Sequence, residues 1–205
     1  MCSSIVALIE TEERSRTQLK VVALVGSAGA LRAFTAVLGG LPSDLEASLV
    51  VIMHLQPGHE SVLASILSRS TDMPVKQAVG DDLLEPGHVY VAPPDAHLLV
   101  SAGRLELDLG PPIHFLRPSA DVLLASLARE VDGGALAVIL SGSGSDGAAG
   151  VVAVKEAGGI VLAQDDEAEY PGMPRAAIAS GAVHRVLALE EISSAIVEFV
   201  RPSEQ

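Results

Sequence analysis

A chain of 205 residues, 49% of them apolar, is long enough to build one hydrophobic core and short enough to need no second. Its 26 acidic against 13 basic residues give a formal charge of −13, a field that repels nucleic acid and anionic membrane surfaces. The single cysteine, Cys2, rules out a disulfide framework, and no apolar run is long enough for a signal sequence or a bilayer span; a cytoplasmic protein without membrane insertion is expected.

Aromatic residues are only 2% of the chain, so the core must be packed with Ala, Val, Leu and Ile, the mixture of a buried parallel sheet. Residues 1–18 are polar and read as a short N-terminal tail, leaving 19–205 as the folded domain. Residues 20–26 (KVVALVG) predict a buried strand ending in glycine, and 31–38 a helix stopped by Gly39 and Gly40. Residues 49–55 (LVVIMHL) predict a second buried strand and 60–69 a helix. Short strands follow over 75–79, 88–92, 97–100 and 104–109, separated by Gly and Pro turns, and they suggest a small antiparallel or mixed excursion.

Regular alternation then resumes. A helix is expected over 119–131, with Ser119 as N-cap and Asp121 in its first turn. Strands follow over 135–140, 160–163 and 183–188, and helices over 148–157, 174–180 and 190–200. The alternation implies an α/β fold: a doubly wound, mostly parallel sheet flanked by helices, with the small antiparallel excursion in its middle.

Such sheets bind ligands beyond the carboxyl ends of their strands. Three polar residues fall there: Ser27 after the first strand, His54 near the end of the second, and Asp146 in the glycine-rich run after 135–140. A serine hydroxyl is a weak nucleophile without an adjacent base. Histidine takes and returns a proton near neutral pH, and an aspartate on its other ring nitrogen fixes the tautomer. The run from Gly142 to Gly147 can curl its amides toward an oxyanion. Taken singly, Ser27 reads as a helix cap, His54 as a polar strand end and Asp146 as a turn residue; the case rests on their shared edge.

Rival readings fare worse. The GSAGA turn lacks GxGxxG, and the second strand ends in Met53 and His54 where a ribose-binding carboxylate belongs. No Gly-Lys-Ser/Thr is present for a phosphate loop. His54 and His59 are five apart across Pro57 and Gly58, which is not metal-ligand spacing on a helix. His88, His97, His114 and His184 stand singly, and surface or turn roles suit them.

At these positions the sequence resembles the catalytic domain of the chemotaxis protein-glutamate methylesterases of the CheB type. The segments that carry the resemblance are VGSAGALRAF from Val25, MHLQPGHE from Met53, EPGHVYVAPPDAH from Glu85, GPPIHFLRPSADVLLASLA from Gly110, ILSGSGSDGAAG from Ile139 and PGMPRAAIASGAV from Pro171. The family's serine, histidine and aspartate fall on Ser27, His54 and Asp146. The resemblance implies hydrolysis of glutamate γ-methyl esters on the cytoplasmic helices of methylated chemoreceptors, with release of methanol, and also receptor glutamine deamidation. It implies no metal and no organic cofactor. Where many relatives have Ser-Thr-Gly-Gly this chain has Ser27-Ala28-Gly29-Ala30, and where many have Gly-Met-Gly-Asn-Asp-Gly it has Gly142-Ser143-Gly144-Ser145-Asp146-Gly147. The family's methionine is associated with a backbone oxyanion donor, and Ser143 keeps that N–H.

Relatives usually carry a phosphorylatable receiver domain ahead of the esterase, whereas this sequence begins almost at the first esterase strand. The expectation is a stand-alone catalytic domain, active without a phosphoryl donor and controlled by expression, by substrate methylation or by a separate regulatory protein. The contrasting expectation is a catalytically silent adaptor that binds receptor helices or another pathway component.

Overall fold

A computed structural model describes residues 19–54 and 61–201 of the chain. Nine strands and six helices are present among them: β1 (Val21–Gly26), α1 (Ala30–Gly39), β2 (Ser48–Met53), α2 (Leu63–Leu67), β3 (Val75–Gln77), β4 (Val89–Val91), β5 (His97–Ser101), β6 (Arg104–Asp108), α3 (Ala120–Glu130), β7 (Ala135–Ile139), α4 (Ala148–Glu156), β8 (Ile160–Gln164), α5 (Gly172–Ala179), β9 (Arg185–Leu187) and α6 (Leu189–Val200). The tail at 1–18 and His59 lie outside the described residues, as does the start of the helix expected over 60–69.

Seven strands form one sheet in the order β3-β4-β2-β1-β7-β8-β9, and every pairing in it is parallel. β1 lies at its centre, and all six of its residues are buried. Successive side chains of a strand point to opposite faces, so one apolar run serves two cores. Val21, Ala23 and Val25 join the layer under α3, α4 and α5, while Val22 and Leu24 join the layer under α1, α2 and α6. A strand buried on both faces reads as continuous Val, Leu and Ala, as this one does.

The middle of the chain corrects one expectation. β3 and β4 are not part of the excursion; they extend the main sheet, with β4 parallel to both β2 and β3. Only β5 and β6 form a separate antiparallel hairpin. At three residues each, β3 and β4 are too short for their side-chain pattern to declare a partner. The hairpin is fastened to α3, where the Ser126 hydroxyl accepts a hydrogen bond from the Val100 N–H at 3.0 Å. The fifth helix also begins earlier than its Pro174 suggested, at Gly172, because proline is tolerated in a first turn whose N–H groups lack helical partners.

α3 and α4 pack in backbone contact. A Cβ on Gly150 would lie 2.6 Å from Leu124 Cβ and 3.1 Å from Asp121 Cα. Gly150→Ala is therefore expected to force the two helices apart and to cost about 1–3 kcal/mol of stability. A urea-denaturation midpoint equal to that of the parent protein would show that the helix pair yields at no cost.

Candidate active site

The register of the central strands aligns the candidate residues. Gly26 of β1 pairs with Met53 of β2, so Ser27 and His54 each stand one residue past a matched pair on adjacent strands. On the other side Val25 pairs with Ile139 of β7, and the segment after β7 runs beside the Ser27 turn. The Ser27 N–H donates to Ser141 O at 3.0 Å, and the Ser141 hydroxyl donates to Ala28 O at 2.8 Å. Gly26 permits this closeness: a Cβ there would lie 2.5 Å from Ala30 Cβ and 3.0 Å from Ser141 O.

His54 and Asp146 meet directly. His54 Nε2 lies 2.7 Å from Asp146 Oδ2, and the two side chains are only 10% and 6% exposed. A carboxylate accepts and does not donate, so Nε2 carries a hydrogen, and in the neutral ring Nδ1 is the nitrogen with the lone pair. Among the described residues no hydrogen bond joins the Ser27 hydroxyl to this imidazole. Such contacts are often long before substrate binds and tighten with it.

Asp146 is held by the start of α3. Its Oδ1 accepts from the Ser119 hydroxyl at 2.8 Å and the Asp121 N–H at 3.2 Å, and its Oδ2 accepts from the Ala120 N–H at 2.6 Å. Burial alone would raise its carboxyl, but the hydrogen bonds from His54, Ala120, Ser119 and Asp121 outweigh that and hold it below the usual carboxylate range. The positive end of the α3 dipole acts in the same sense. Asp146 is thus a largely shielded anion facing one nitrogen of a histidine.

Ser119 departs from its expected role. It occupies the N-cap position of α3 but makes no side-chain cap, because its hydroxyl is spent on Asp146 and the Asp146 carboxylate meets the helix amides instead. His97 departs too. It is 2% exposed; its Nδ1 accepts from the Ser119 N–H at 3.2 Å, leaving Nε2 to donate to Pro111 O at 3.1 Å. A His-Ser-Asp-His line therefore runs from the hairpin to the sheet edge. An isolated histidine in sequence gives no sign of it, because its partners lie 14 and 22 positions away.

In the glycine-rich segment Gly144 has φ 88° and Gly147 φ 95°, left-handed conformations that glycine adopts freely. Ser143 is exposed, and among the described residues its N–H donates to no protein acceptor. The turn is braced from behind: the Gly142 N–H donates to Tyr170 O, and the Met173 N–H to Gly142 O, each at 2.8 Å. A Cβ on Gly142 would lie 3.1 Å from Ser27 N, so the backbone just ahead of Ser143 passes close to the serine turn. Among the described residues no group of three His, Cys, Asp or Glu is arranged to hold a metal, and no helix is long and apolar enough to cross a membrane.

The sequence model described as CheB methylesterase matches residues 22–196. A Myxococcus xanthus protein named protein-glutamate methylesterase FrzG is 41% identical over 88% of this chain and 54% of its own length. A protein-glutamate methylesterase/protein-glutamine glutaminase of Anaeromyxobacter dehalogenans is 40% identical over 90% of this chain and 54% of its own. The chain thus spans about half the length of these curated relatives. The crystal structure of the Thermotoga maritima CheB methylesterase catalytic domain superposes with a TM-score of 0.85 at 34% identity, over 89% of this chain and 99% of that one.

Proposed function

Because this chain belongs to the CheB methylesterase family, we propose that it hydrolyses glutamate γ-methyl esters on chemoreceptor-like proteins, with Ser27 as nucleophile, His54 as base and Asp146 as the residue that orients it. The observation that carries this reading is the part-buried 2.7 Å contact of His54 Nε2 with Asp146. It directs Nε2–H at the carboxylate, and in the neutral ring the Nδ1 lone pair is then the acceptor, on a residue one strand across from Ser27.

In the first step Ser27 Oγ attacks the ester carbonyl while His54 Nδ1 accepts its proton. Asp146, ionised at neutral pH, stabilises the imidazolium. The free Ser143 N–H is the candidate donor to the developing oxyanion. The methoxide leaves as methanol with the proton from His54, and an acyl-enzyme ester on Ser27 remains. Water, activated by the same imidazole, then releases the glutamate and regenerates Ser27. With a glutamine substrate the leaving group is ammonia and the steps are otherwise the same; the esterase/glutaminase names of several relatives support this second activity. No step calls for a cofactor. The substrate is the methylated helical region of a receptor's cytoplasmic part, which places the reaction in the cytoplasm.

Two measurements test the proposal. The purified protein is expected to release methanol from isolated methylated receptors, and a fluorophosphonate probe is expected to label Ser27. A protein that binds receptor but is neither labelled nor productive would be the silent adaptor, and the esterase reading would be wrong.

A further inference from the structure

Asp121 stands in the first turn of α3, yet its carboxylate serves α4. Its Oδ1 accepts from the Gly150 N–H at 2.7 Å, within the first turn of that helix. Asp146 does the converse: it precedes α4 in the chain, and its carboxylate receives the first amides of α3. The two helices therefore exchange carboxylates, and the Asp121 N–H completes the loop by donating to Asp146 Oδ1 at 3.2 Å. The arrangement is costly in one respect. Burial, with a contribution from the Asp146 charge, raises the Asp121 carboxyl, while the amides of Gly150, Gly147 and Ala149 oppose that rise.

The cost has a mechanical counterpart. Asp146 lies in a turn whose flanking glycines, Gly144 and Gly147, impose little conformational restraint of their own. The start of α4 lies only two residues beyond Asp146, and Asp121 is the side chain that binds that start to α3. The missing side chain at Gly150 brings the two backbones close enough for so short a link.

We infer that Asp121 is a positioning residue for the proposed hydrolysis: by tying the first turn of α4 to α3 it fixes where Asp146 meets His54. The inference rests on the esterase reading above. What matters is an acceptor of the right length at position 121, and the negative charge is secondary.

Three variants separate these properties: Asp121→Asn keeps the acceptor and loses the charge, Asp121→Glu keeps the charge and lengthens the arm, and Asp121→Ala loses both. At a temperature well below each variant's Tm, Asn is expected within roughly threefold of the parent kcat. Glu and Ala are expected to lose about 10²-fold, the scale of an ångström-level misplacement, with KM changed by less than threefold. The proton resonance of the His54 Nε2–H should stay at its parental position in Asn and move upfield in Glu. Should Ala fail to fold, Asn and Glu carry the test. Parental kcat in Glu, or Asn as damaged as Glu, overturns the positioning role. A parent protein that neither releases methanol nor takes the fluorophosphonate label removes the esterase reading itself, and this inference with it; an active parent with indifferent variants removes this inference alone.

Discussion

Ser27→Ala and His54→Ala are each expected to lower turnover of a methylated receptor on the order of 10⁶-fold, and the double variant is expected to be little worse than either. In the proposed mechanism the two side chains contribute one event. Without His54 the Ser27 hydroxyl keeps its proton and is a poor nucleophile; without Ser27 the imidazole has no proton to accept. The geometry supports pairing of this kind, since the two residues follow the matched pair Gly26 and Met53 on neighbouring parallel strands. What is expected to survive in either variant is the contribution of substrate binding and of the proposed Ser143 donor. The check is single-turnover methanol release, with thermal unfolding run beside it to confirm the fold. Losses that simply multiplied would mean two independent roles and would end the assignment.

Asp146→Asn is expected to keep the fold and to cut turnover by about 10⁴-fold. In the parent, His54 Nε2–H donates to Asp146 Oδ2 at 2.7 Å. An amide in that place can turn its NH₂ toward the ring, which then presents Nε2 as acceptor and carries its hydrogen on Nδ1. The nitrogen that should take the Ser27 proton is then already protonated. The variant also loses the charge that stabilises the imidazolium. Stability should respond to pH with a definite sign. Asp146 has a folded pKa below its ordinary value, so its contribution is present above the ordinary aspartate range and is lost as pH falls through the folded value. The stability gap between parent and Asp146→Asn should therefore be widest near neutral pH and close in acid. A gap that is constant with pH, or a variant with near-parental turnover, would reduce Asp146 to a turn residue.

How much of this was legible in the sequence depends on the range of the interaction involved. The α/β alternation was legible because burial on two faces and helical periodicity are written in neighbouring residues, as in VVALVG and SLVVIM. The candidate triad was legible for a related reason. In a doubly wound parallel sheet every strand ends at the same edge, so Ser27, His54 and Asp146 could be gathered without coordinates, and the motif resemblance pointed to the same three. The pairing of β3 and β4 with the main sheet was not, because three-residue strands carry no register of their own.

The sequence by itself determined the class of fold, and it gathered three candidate side chains at the sheet edge where such folds bind ligands. Tertiary structure alone decided how those side chains are held. It put Asp146 on the amides of α3 and turned Ser119 away from its own helix. It buried His97 behind Ser119, and it chose Nε2 of His54 as the nitrogen facing the carboxylate. Local propensity records only what a residue can do for its neighbours, and each of these contacts spans more than twenty positions along the chain. A hydroxyl or carboxylate left with several acceptable partners takes the one that close packing brings within hydrogen-bond reach, and that packing is a property of the assembled sheet and helices.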